Sequence, residues 1–421
     1  MAIPVATSAA ALMCILALQA TPDDPRPAST PPSPPPASPT ATPKLRPTTL
    51  RDPTIAPRTA PPPRHTEPRG SDSRSAAGRR DVAGLRAARL FAPPSGPVEV
   101  IIRGADPQTQ YTLLLIDSAG EVLGTARELR SGKVDLLSTL PGVQGMHRAA
   151  WLQLAANDEA VGSPLVIQPL REPPPVRTVR SKRPDGTTEF TKVVGWGSEA
   201  LDPDDTTIDE LKRTWIDGDP PVLSGYRMYP DMDVLVRTDH GEMRIALAPH
   251  EAPATVWNFR TLVRDGFYDR GGFHRIVPAD REGRPFVIQG GDPTLSGNGG
   301  PGHVLALEPS RLPHDYGVLS MARADEPHSA GSQFFIALGR EATARLDGQY
   351  CAFGFVVSGA RTIDSIAATP IADASTGRPQ AIPVILSMQL VAAPARMPGT
   401  DRNSERVKPI TEAGSVPPTV R

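Results

Sequence analysis

The segments FHRIVP (273–278) and FVIQGGD (286–292) decide the fold of this 421-residue chain. Each is a short run rich in aromatic and β-branched residues, and such runs favour β-strands. Three further segments follow in the order GVLSMA (317–322), GSQFFI (331–336) and LDGQY (346–350). Glycines stand within or beside these segments, as expected where short strands are separated by turns.

Outward from this centre, the sequence predicts further strands and two helices. Residues 234–247 form a hairpin around a polar turn. Between residues 252 and 266, a proline at the first helical position, apolar residues at helical spacing and a final glycine predict a helix. A strand is also expected at 304–307, a second short helix near 362–367, and a closing strand at 384–391. About eight strands and two helices predict a mostly β domain over 226–393, a closed antiparallel β-barrel capped by the helices.

The five segments, in this order and at this spacing, resemble the cyclophilin-type peptidyl-prolyl cis-trans isomerases. The run APATVWNF (252–259) is similar to the first helix of that family. The resemblance covers about residues 231–392, which is under half of the chain. It implies a cyclophilin-like fold, an enzyme that accelerates isomerisation of X–Pro bonds, and proline-containing polypeptides as its substrates.

The resemblance also implies the site residues. Arg275 matches the catalytic arginine of the family, and Gln289 matches the glutamine that orients this arginine and contacts the substrate backbone. Phe286 is assigned with them to the catalytic set, as a wall of the proline pocket. The expected substrate-binding residues are Val287, Gly297, Ala322, Arg323, Gln333, Phe335, Arg345, Leu346 and Tyr350. Phe334 is expected in the core instead, because alternation along a strand points it away from Phe335.

These residue types suit the reaction on chemical grounds. Rotation about a peptide bond costs about 18–20 kcal/mol because resonance gives the C–N bond partial double-bond character. The cis and trans forms of an X–Pro bond lie within about 1 kcal/mol of each other. A catalyst therefore has to favour the twisted amide, whose nitrogen has become a better hydrogen-bond acceptor. A permanently charged donor such as Arg275 meets that need, and no metal or cofactor is expected.

Four residues and one loop depart from the family pattern. Val287 stands where many members have Met, and Arg323 stands where Asn is usual. Arg345 replaces a common Trp, and Tyr350 replaces a common His. Residues 279–285 form a longer loop than the usual short turn. The arginine, the glutamine and the phenylalanine are all present, so activity is expected, while the sequence does not specify the substrate preference. Because the fungal cyclic-peptide inhibitor of the family uses that Trp, weak inhibition is expected.

Composition divides the rest of the chain. The sequence has 50 Pro but only 4 Trp, 6 Tyr and 10 Phe, and residues 21–70 hold 17 of the prolines. A Pro-rich segment of low hydrophobicity cannot bury a core, so residues 21–90 are predicted to be a disordered spacer. Short β-type runs at about ten-residue spacing predict a small β-sandwich-like domain at 95–170, whose role the sequence does not specify. A polar connector at 171–225 and a disordered tail at 394–421 complete the prediction.

The N-terminal residues predict export. Residues 9–20 form an apolar stretch that is too short to span a bilayer and is typical of a signal peptide. Residues 1–20 are therefore predicted to be a signal peptide, and the protein to be periplasmic or in the cell envelope. A cytoplasmic location is the alternative, because no Lys or Arg precedes the apolar stretch. No other segment approaches the length of a membrane span. The two cysteines, Cys14 and Cys351, exclude a disulfide framework.

Several other functions are disfavoured. The net charge of −1 argues against nucleic acid as the main partner. The run GNGGPG (297–302) has dinucleotide-site spacing, but Pro301 and the strand-like residues after it contradict the helix that such a site needs. The eight His show no metal-ligand spacing. A monomer is expected.

Two alternatives to catalysis are retained. In the first, the pocket binds proline-containing segments without catalysis, as a chaperone module tethered in the cell envelope. In the second, residues 95–170 tether the protein to envelope components and isomerisation is secondary. The joint presence of Arg275, Gln289 and Phe335 favours catalysis.

Overall fold

The computed structural model of the protein describes residues 84–104, 108–182, 189–197 and 222–410. The expected signal peptide at 1–20 and all but the end of the expected spacer at 21–90 lie outside the described residues. All described residues belong to one compact unit. The fold is mostly β, and its helices are few and short.

The N-terminal part of the described chain consists of antiparallel strands and one short helix, α1 (Leu136–Thr139). In chain order, the strands are β1 (Gly84–Ala87), β2 (Phe91–Ala92), β3 (Glu99–Arg103), β4 (Tyr111–Ile116), β5 (Val122–Leu129), β6 (Gly132–Asp135), β7 (Ala150–Ala156), β8 (Glu159–Leu170), β9 (Val176–Lys182), β10 (Glu189–Trp196) and β11 (Gly225–Pro230). One sheet has the order β1-β3-β6, and a second has the order β2-β11-β8-β7-β4-β5.

The two sheets share one buried apolar cluster. Val100 and Ile102 of β3 meet Leu113 and Leu115 of β4 in it. These four residues alternate along their strands with less buried ones, which is the pattern that sheets packed face to face require.

The structure extends these sheets beyond the expected domain at 95–170. Strands β1 and β2 precede that range, and β11 pairs with β8, with Tyr226 opposite Pro169. Tyr226 and Met228 are buried in the shared cluster. The difference arises because β11 pairs with a strand more than fifty residues earlier, and sequence pattern alone does not identify a distant partner.

Strands β9 and β10 form a separate two-stranded hairpin in the segment predicted to be a polar connector. The alternation of β9 is weak, since polar residues occupy most of the strand. In β10, by contrast, the last four residues are buried. Val193 and Trp196 of this strand belong to the core of the C-terminal part of the chain.

The C-terminal part consists of one large sheet, one small sheet and three helices. Its strands are β12 (Met232–Thr238), β13 (Gly241–Leu247), β14 (Arg275–Ala279), β15 (Pro285–Gly290), β16 (Val318–Met321), β17 (Phe334–Ala337), β18 (Ala352–Ser358), β19 (Ile371–Asp373), β20 (Arg378–Pro379) and β21 (Ile385–Ala392). Its helices are α2 (Pro253–Arg264), α3 (Arg340–Thr343) and α4 (Ala360–Ala367). The eight-stranded sheet has the order β14-β15-β17-β16-β18-β13-β12-β21.

The eight-stranded sheet curls so that its two end strands approach each other. The residues just before β14 and β21 form an isolated bridge, Gly272 with Val384. Phe273 N–H donates to Pro383 O at 2.9 Å, and Ile385 N–H donates to Gly271 O at 2.9 Å. Full closure into a barrel stays a prediction. Residues 304–307, expected to be a strand, contribute only a bridge between Leu305 and Ala330.

Helix α2 covers the curled sheet with its apolar face. Pro253 is its first residue, where a missing N–H costs nothing. Glu308 accepts hydrogen bonds from Ala254 N at 2.9 Å and Thr255 N at 2.8 Å, which satisfies two N–H groups at the start of the helix. Phe259 is fully buried between α2 and the sheet, 5.6 Å from the ring of Phe334. None of the helices in the described part of the chain is long and apolar enough to cross a membrane.

The segment 394–410 corrects the expectation of a disordered tail for those residues. Arg396 and Arg402 are 4% and 6% exposed. Arg402 donates to both carboxylate oxygens of Asp233, at 2.7 and 3.0 Å. Arg396 N–H donates to Gln153 Oε1 at 2.9 Å. The partners lie more than 150 residues earlier in the chain, so a local sequence pattern gives no sign of these contacts. Residues 411–421 lie outside the described residues.

Candidate active site

Two of the predicted catalytic residues, Arg275 and Gln289, form one row with the predicted substrate-binding residue Phe335 across three neighbouring strands. Arg275 on β14 lies opposite Gln289 on β15, and Gln289 lies opposite Phe335 on β17. Directly opposed residues of antiparallel strands place their side chains on the same face of the sheet. The strand register therefore brings together three residues that are up to sixty positions apart in the sequence.

A chain of hydrogen bonds holds the polar members of the site. Arg275 Nη1 donates to Gln289 Oε1 at 3.3 Å, and Gln289 Nε2 donates to Gln333 Oε1 at 3.0 Å. Gln333 Nε2 in turn donates to the carbonyl oxygens of Gly297 and Gly299, at 3.0 and 2.8 Å. The chain fixes both amide side chains in orientation and ends on the glycine-rich loop.

Arg275 is a buried cation. The residue is only 3% exposed, and burial lowers the pKa of the guanidinium to about 10. Among the described residues, none accepts a hydrogen bond from its Nε. The guanidinium is therefore fixed on one side by Gln289 and is protonated at neutral pH, and no carboxylate of the described residues forms an ion pair with it.

An apolar cluster, which holds the residues expected to form the proline pocket, lies beside this row. It comprises Phe286, Val287, Ala322, Phe335, Ala342, Leu346 and Tyr350, with Val277 packed against it. The rings of Phe335 and Tyr350 meet edge to face at 5.7 Å, a favourable aromatic geometry. The adjacent Phe334 belongs to the main core instead, as the alternation along β17 predicts. The pocket is thus separate from the core of the curled sheet.

Arg323 packs against Tyr350, a wall of the expected proline pocket. Its guanidinium carbon lies 4.9 Å from the centroid of the Tyr350 ring. Arg323 Nε donates to Gln349 O at 3.0 Å, and Nη1 donates to Ala324 O and Asp325 O at 2.8 and 2.9 Å. The residue is 7% exposed. The side chain that replaces the usual Asn is therefore engaged with the protein backbone.

Arg345 lies on the outer side of the pocket. Its guanidinium carbon is 4.8 Å from the centroid of the Phe286 ring. Its Nη1 is 3.6 Å from Asp280 Oδ2 in the long loop between β14 and β15. Asp280 also accepts from the backbone and side chain of Arg284, which organises this loop. The loop and Arg345 together form one rim of the pocket.

A groove of about 590 Å³ continues from Gln289 and Gln333 along the glycine-rich loop. Residues 297–304 form one side of it, and residues 322–324 line it as well. Gly297 and Ala322 thus lie where the sequence analysis expects groove residues. The dinucleotide-like spacing 297–302 falls in an irregular loop without a helix, which agrees with its rejection as a nucleotide site.

The sequence analysis did not single out Asp292 and His314, which shape the site. Asp292 Oδ2 accepts from Gly297 N at 2.5 Å, and its Oδ1 accepts from Thr294 N at 2.7 Å, so this carboxylate folds the glycine-rich loop. The ring of His314 stacks on Phe335 at 5.7 Å and contacts the Asp347 carboxylate at 2.9 Å. Asp292 is the last residue of the segment FVIQGGD (286–292), which is the only sequence signal for it.

The described part of the site offers no set of metal ligands. Within the residues that the structure describes, no group of three or more His, Cys, Asp or Glu could hold a metal ion. His274, next to Arg275, is buried, and burial lowers its pKa to about 4. It is therefore neutral at physiological pH and adds no charge beside the guanidinium.

Comparison with known proteins agrees with this geometry. A family model for the cyclophilin type peptidyl-prolyl cis-trans isomerases matches residues 233–390. A peptidyl-prolyl cis-trans isomerase of Synechococcus elongatus is 42% identical over 120 residues, which are 28% of this chain and 77% of that relative. Peptidyl-prolyl cis-trans isomerase B of Bacillus subtilis is 42% identical over 123 residues, which are 29% of this chain and 80% of that relative.

Among solved structures, a cyclophilin type peptidyl-prolyl cis-trans isomerase of Cryptosporidium parvum is 30% identical, with a TM-score of 0.35, and the match covers 39% of this chain and 99% of that one. From the sequence relatives, this chain belongs to the cyclophilin-type peptidyl-prolyl cis-trans isomerase family. It is an enzyme of that type, and the match to the family model begins only at residue 233.

Proposed function

We propose that the protein accelerates X–Pro isomerisation during the folding of exported proteins, and that Arg275 assists the twisting of the amide. The observation that carries this proposal is the row of Arg275, Gln289 and Phe335, which sets a buried guanidinium next to an apolar pocket. In this proposal the pocket holds the proline ring, and the guanidinium faces the rotating bond.

The proposed chemistry is differential binding of the twisted amide. In the planar amide, the nitrogen lone pair is delocalised; in the twisted state it is localised and accepts a hydrogen bond. Arg275 donates to that nitrogen, and a charged donor in a site shielded from water stabilises the transition state more than the ground state. The pKa of about 10 keeps the guanidinium protonated at neutral pH. No bond is made to the enzyme, and the reaction needs no net proton transfer.

The remaining site residues bind and orient the substrate. Burial of the proline ring against Phe286, Phe335 and Tyr350 contributes about 2 kcal/mol of binding free energy. Gln289 holds Arg275 in position through its Oε1. The backbone of the residues that precede the proline lies along the groove, next to Gln333 and Ala322.

Substitution of Arg275 tests the catalytic role. We expect Arg275→Ala to reduce kcat/KM by about 100-fold, by analogy with the loss of one transition-state hydrogen-bond donor. The measurement is NMR exchange on a short X–Pro peptide with the full chain. Arg361→Ala, which removes an exposed arginine of α4, is the matched control and leaves the rate unchanged.

A wild-type protein no faster than Arg275→Ala contradicts the proposed catalysis. If both proteins then bind the peptide equally well, the non-catalytic binding module takes its place. The variant Arg275→Lys separates charge from shape, because it keeps a positive charge but cannot reproduce the planar geometry of the guanidinium.

We also propose export of the protein to the periplasm or cell envelope. Support comes from the apolar stretch at 9–20 and the Pro-rich residues after it. Cys351 is suited to an oxidising compartment, because the thiol is buried beside Thr255 Oγ1, 3.4 Å from its Sγ, and burial raises the pKa of the thiol. Mass spectrometry of the mature N-terminus tests export: a new N-terminus near residue 21 is expected, and a retained Met1 contradicts it.

A further inference from the structure

The hairpin of β9 and β10 packs next to the substrate groove, although it lies outside the residues that match the family. Val193 and Trp196 of β10 are each 2% exposed and belong to the main core of the curled sheet. Val176 of β9 packs against the same core. The hairpin is therefore an integral part of the isomerase core.

Asp325 is the first residue that links the hairpin to the wall of the groove. Its carboxylate accepts three hydrogen bonds from the hairpin: Thr191 N at 2.6 Å, Thr191 Oγ1 at 2.9 Å and Arg180 Nη1 at 2.6 Å. Asp325 directly follows Ala324, which lines the groove, but is not itself part of the groove lining. These bonds fix the end of the groove wall formed by residues 322–324.

Gln349 is the second contact. Its Oε1 accepts from Val193 N at 2.9 Å, and its Nε2 donates to Val193 O at 2.8 Å. This side-chain amide pairs with one strand residue in both directions, as a neighbouring strand does. Gln349 precedes Tyr350, which is a wall of the proline pocket.

Arg323 joins the two contacts. It donates to the carbonyl oxygens of Ala324 and Asp325 and to that of Gln349. Its guanidinium packs on the Tyr350 ring. The hairpin thus holds, from outside, both backbone segments that Arg323 connects: the groove wall and the segment that carries the pocket wall.

We propose that the β9–β10 hairpin is a positioning element for the isomerase site, which sets the groove for extended polypeptides with several residues before the proline. This inference rests on the proposed function and adds a substrate class to it. The positioning residues are Thr191 and Arg180, acting through Asp325, and Val193, acting through Gln349. None of the three hairpin residues lines the groove.

The test compares a long and a short peptide. The long peptide has four residues before the X–Pro bond and occupies the groove; the short peptide has one. We expect Asp325→Ala to raise KM and the Kd from NMR titration about threefold to tenfold for the long peptide. For the short peptide both values and kcat stay within about twofold of wild type. A merely structural defect lowers the activity on both peptides alike.

Two further variants sharpen the test. The double substitution Thr191→Val and Arg180→Met removes the two side-chain donors to Asp325 from the hairpin side alone. We expect KM and Kd for the long peptide to rise, but by less than in Asp325→Ala. Asp117→Ala is the matched control, since Asp117 accepts from Ala119 N and Glu121 N at 2.9 Å in the turn between β4 and β5. We expect Asp117→Ala to leave KM, Kd and kcat unchanged for both peptides.

The outcomes separate this inference from the proposed function. Equal effects on both peptides, or no effect of the hairpin variants on the long one, overturn the positioning role. If Asp325→Ala fails to fold, the double variant decides. If the wild type is catalytically inactive, the proposed function is contradicted. The Kd values of the two peptides then still test the positioning role of the hairpin. A wild type that does not bind the long peptide more tightly than the short one also overturns it.

Discussion

Arg275 differs from most buried arginines in its partner. A buried guanidinium is usually paired with a carboxylate, because burial of an unpaired charge is costly. Here the hydrogen-bond partner is the neutral amide of Gln289, and burial lowers the pKa to about 10. The residue is held in position without its charge being neutralised, as electrostatic stabilisation of a polarised amide requires.

This lowered pKa predicts a pH dependence. The protonated guanidinium is the active form, so kcat/KM should be constant from pH 6 to 9. Above about pH 10 it should fall about tenfold per pH unit as Arg275 loses its proton. The measurement is NMR exchange at each pH, with circular dichroism to establish that the protein is folded. A constant kcat/KM up to pH 11 in folded protein contradicts the assignment.

The sequence predicts the residue types of the site better than their contacts. Arg275, Gln289 and Phe335 were selected from short segments, and strand register brings them together. Arg323 and Arg345 were expected to bind substrate, but the structure places each guanidinium against a ring of the pocket wall. Arg323 donates to carbonyls of the next two residues and of Gln349, and Arg345 approaches the Asp280 carboxylate. The residue type alone does not identify these partners.

At the scale of elements, prediction succeeded where the pattern is local. Strands β14, β15 and β17 consist of dense apolar runs, and α2 has both a start and a stop signal. The prediction of a strand at 304–307 was wrong: Val304 lines the groove and is 64% exposed, whereas Leu307 is buried in the main core.

The β9–β10 hairpin, by contrast, is an element that its local sequence pattern does not predict. Strand β9 reads VRTVRSK and has mostly polar side chains, so nothing in its pattern distinguishes it from a connector. Its order derives from pairing with β10 and from the contacts of Arg180 and Thr191 with Asp325. Elements that are stabilised by a neighbouring module in this way have no signature in their own sequence.

At the scale of the whole molecule, the segment 394–410 connects the two parts of the described chain. Arg396 N–H bonds to Gln153 on β7, and its guanidinium packs at 3.4 Å from the centroid of the Trp151 ring. Arg402 then binds Asp233 on β12, in the curled sheet. The same short segment thus contacts the sheets of the N-terminal part and the isomerase core.

Removal of one of these arginines should destabilise the protein without impairing the site. We expect Arg402→Met to lower the free energy of unfolding by about 3 kcal/mol, because among the described residues it leaves the fully buried Asp233 with Arg244 alone as a cationic partner. Urea denaturation measures the change, and Arg361→Met is the control for an exposed arginine. At low temperature, the isomerase activity per folded molecule should equal that of wild type.

A loss of activity that exceeds the unfolded fraction contradicts this separation of stability from catalysis. The domain boundaries at 95–170 and 226–393, the monomeric state and the export of the chain stay predictions. The structure adds to them that the N-terminal sheets, the hairpin and the isomerase core share side-chain contacts.

The contacts of segment 394–410 also constrain the order in which the chain can fold. The bond from Arg396 to Gln153 spans 243 positions, and that from Arg402 to Asp233 spans 169. Contacts of such sequence separation form slowly, because a long loop has to close before they contribute. The segment follows β21, the last strand of the curled sheet, in the chain. We therefore expect it to dock late in folding, and Asp233 to gain Arg402 as its second cationic partner only at that step.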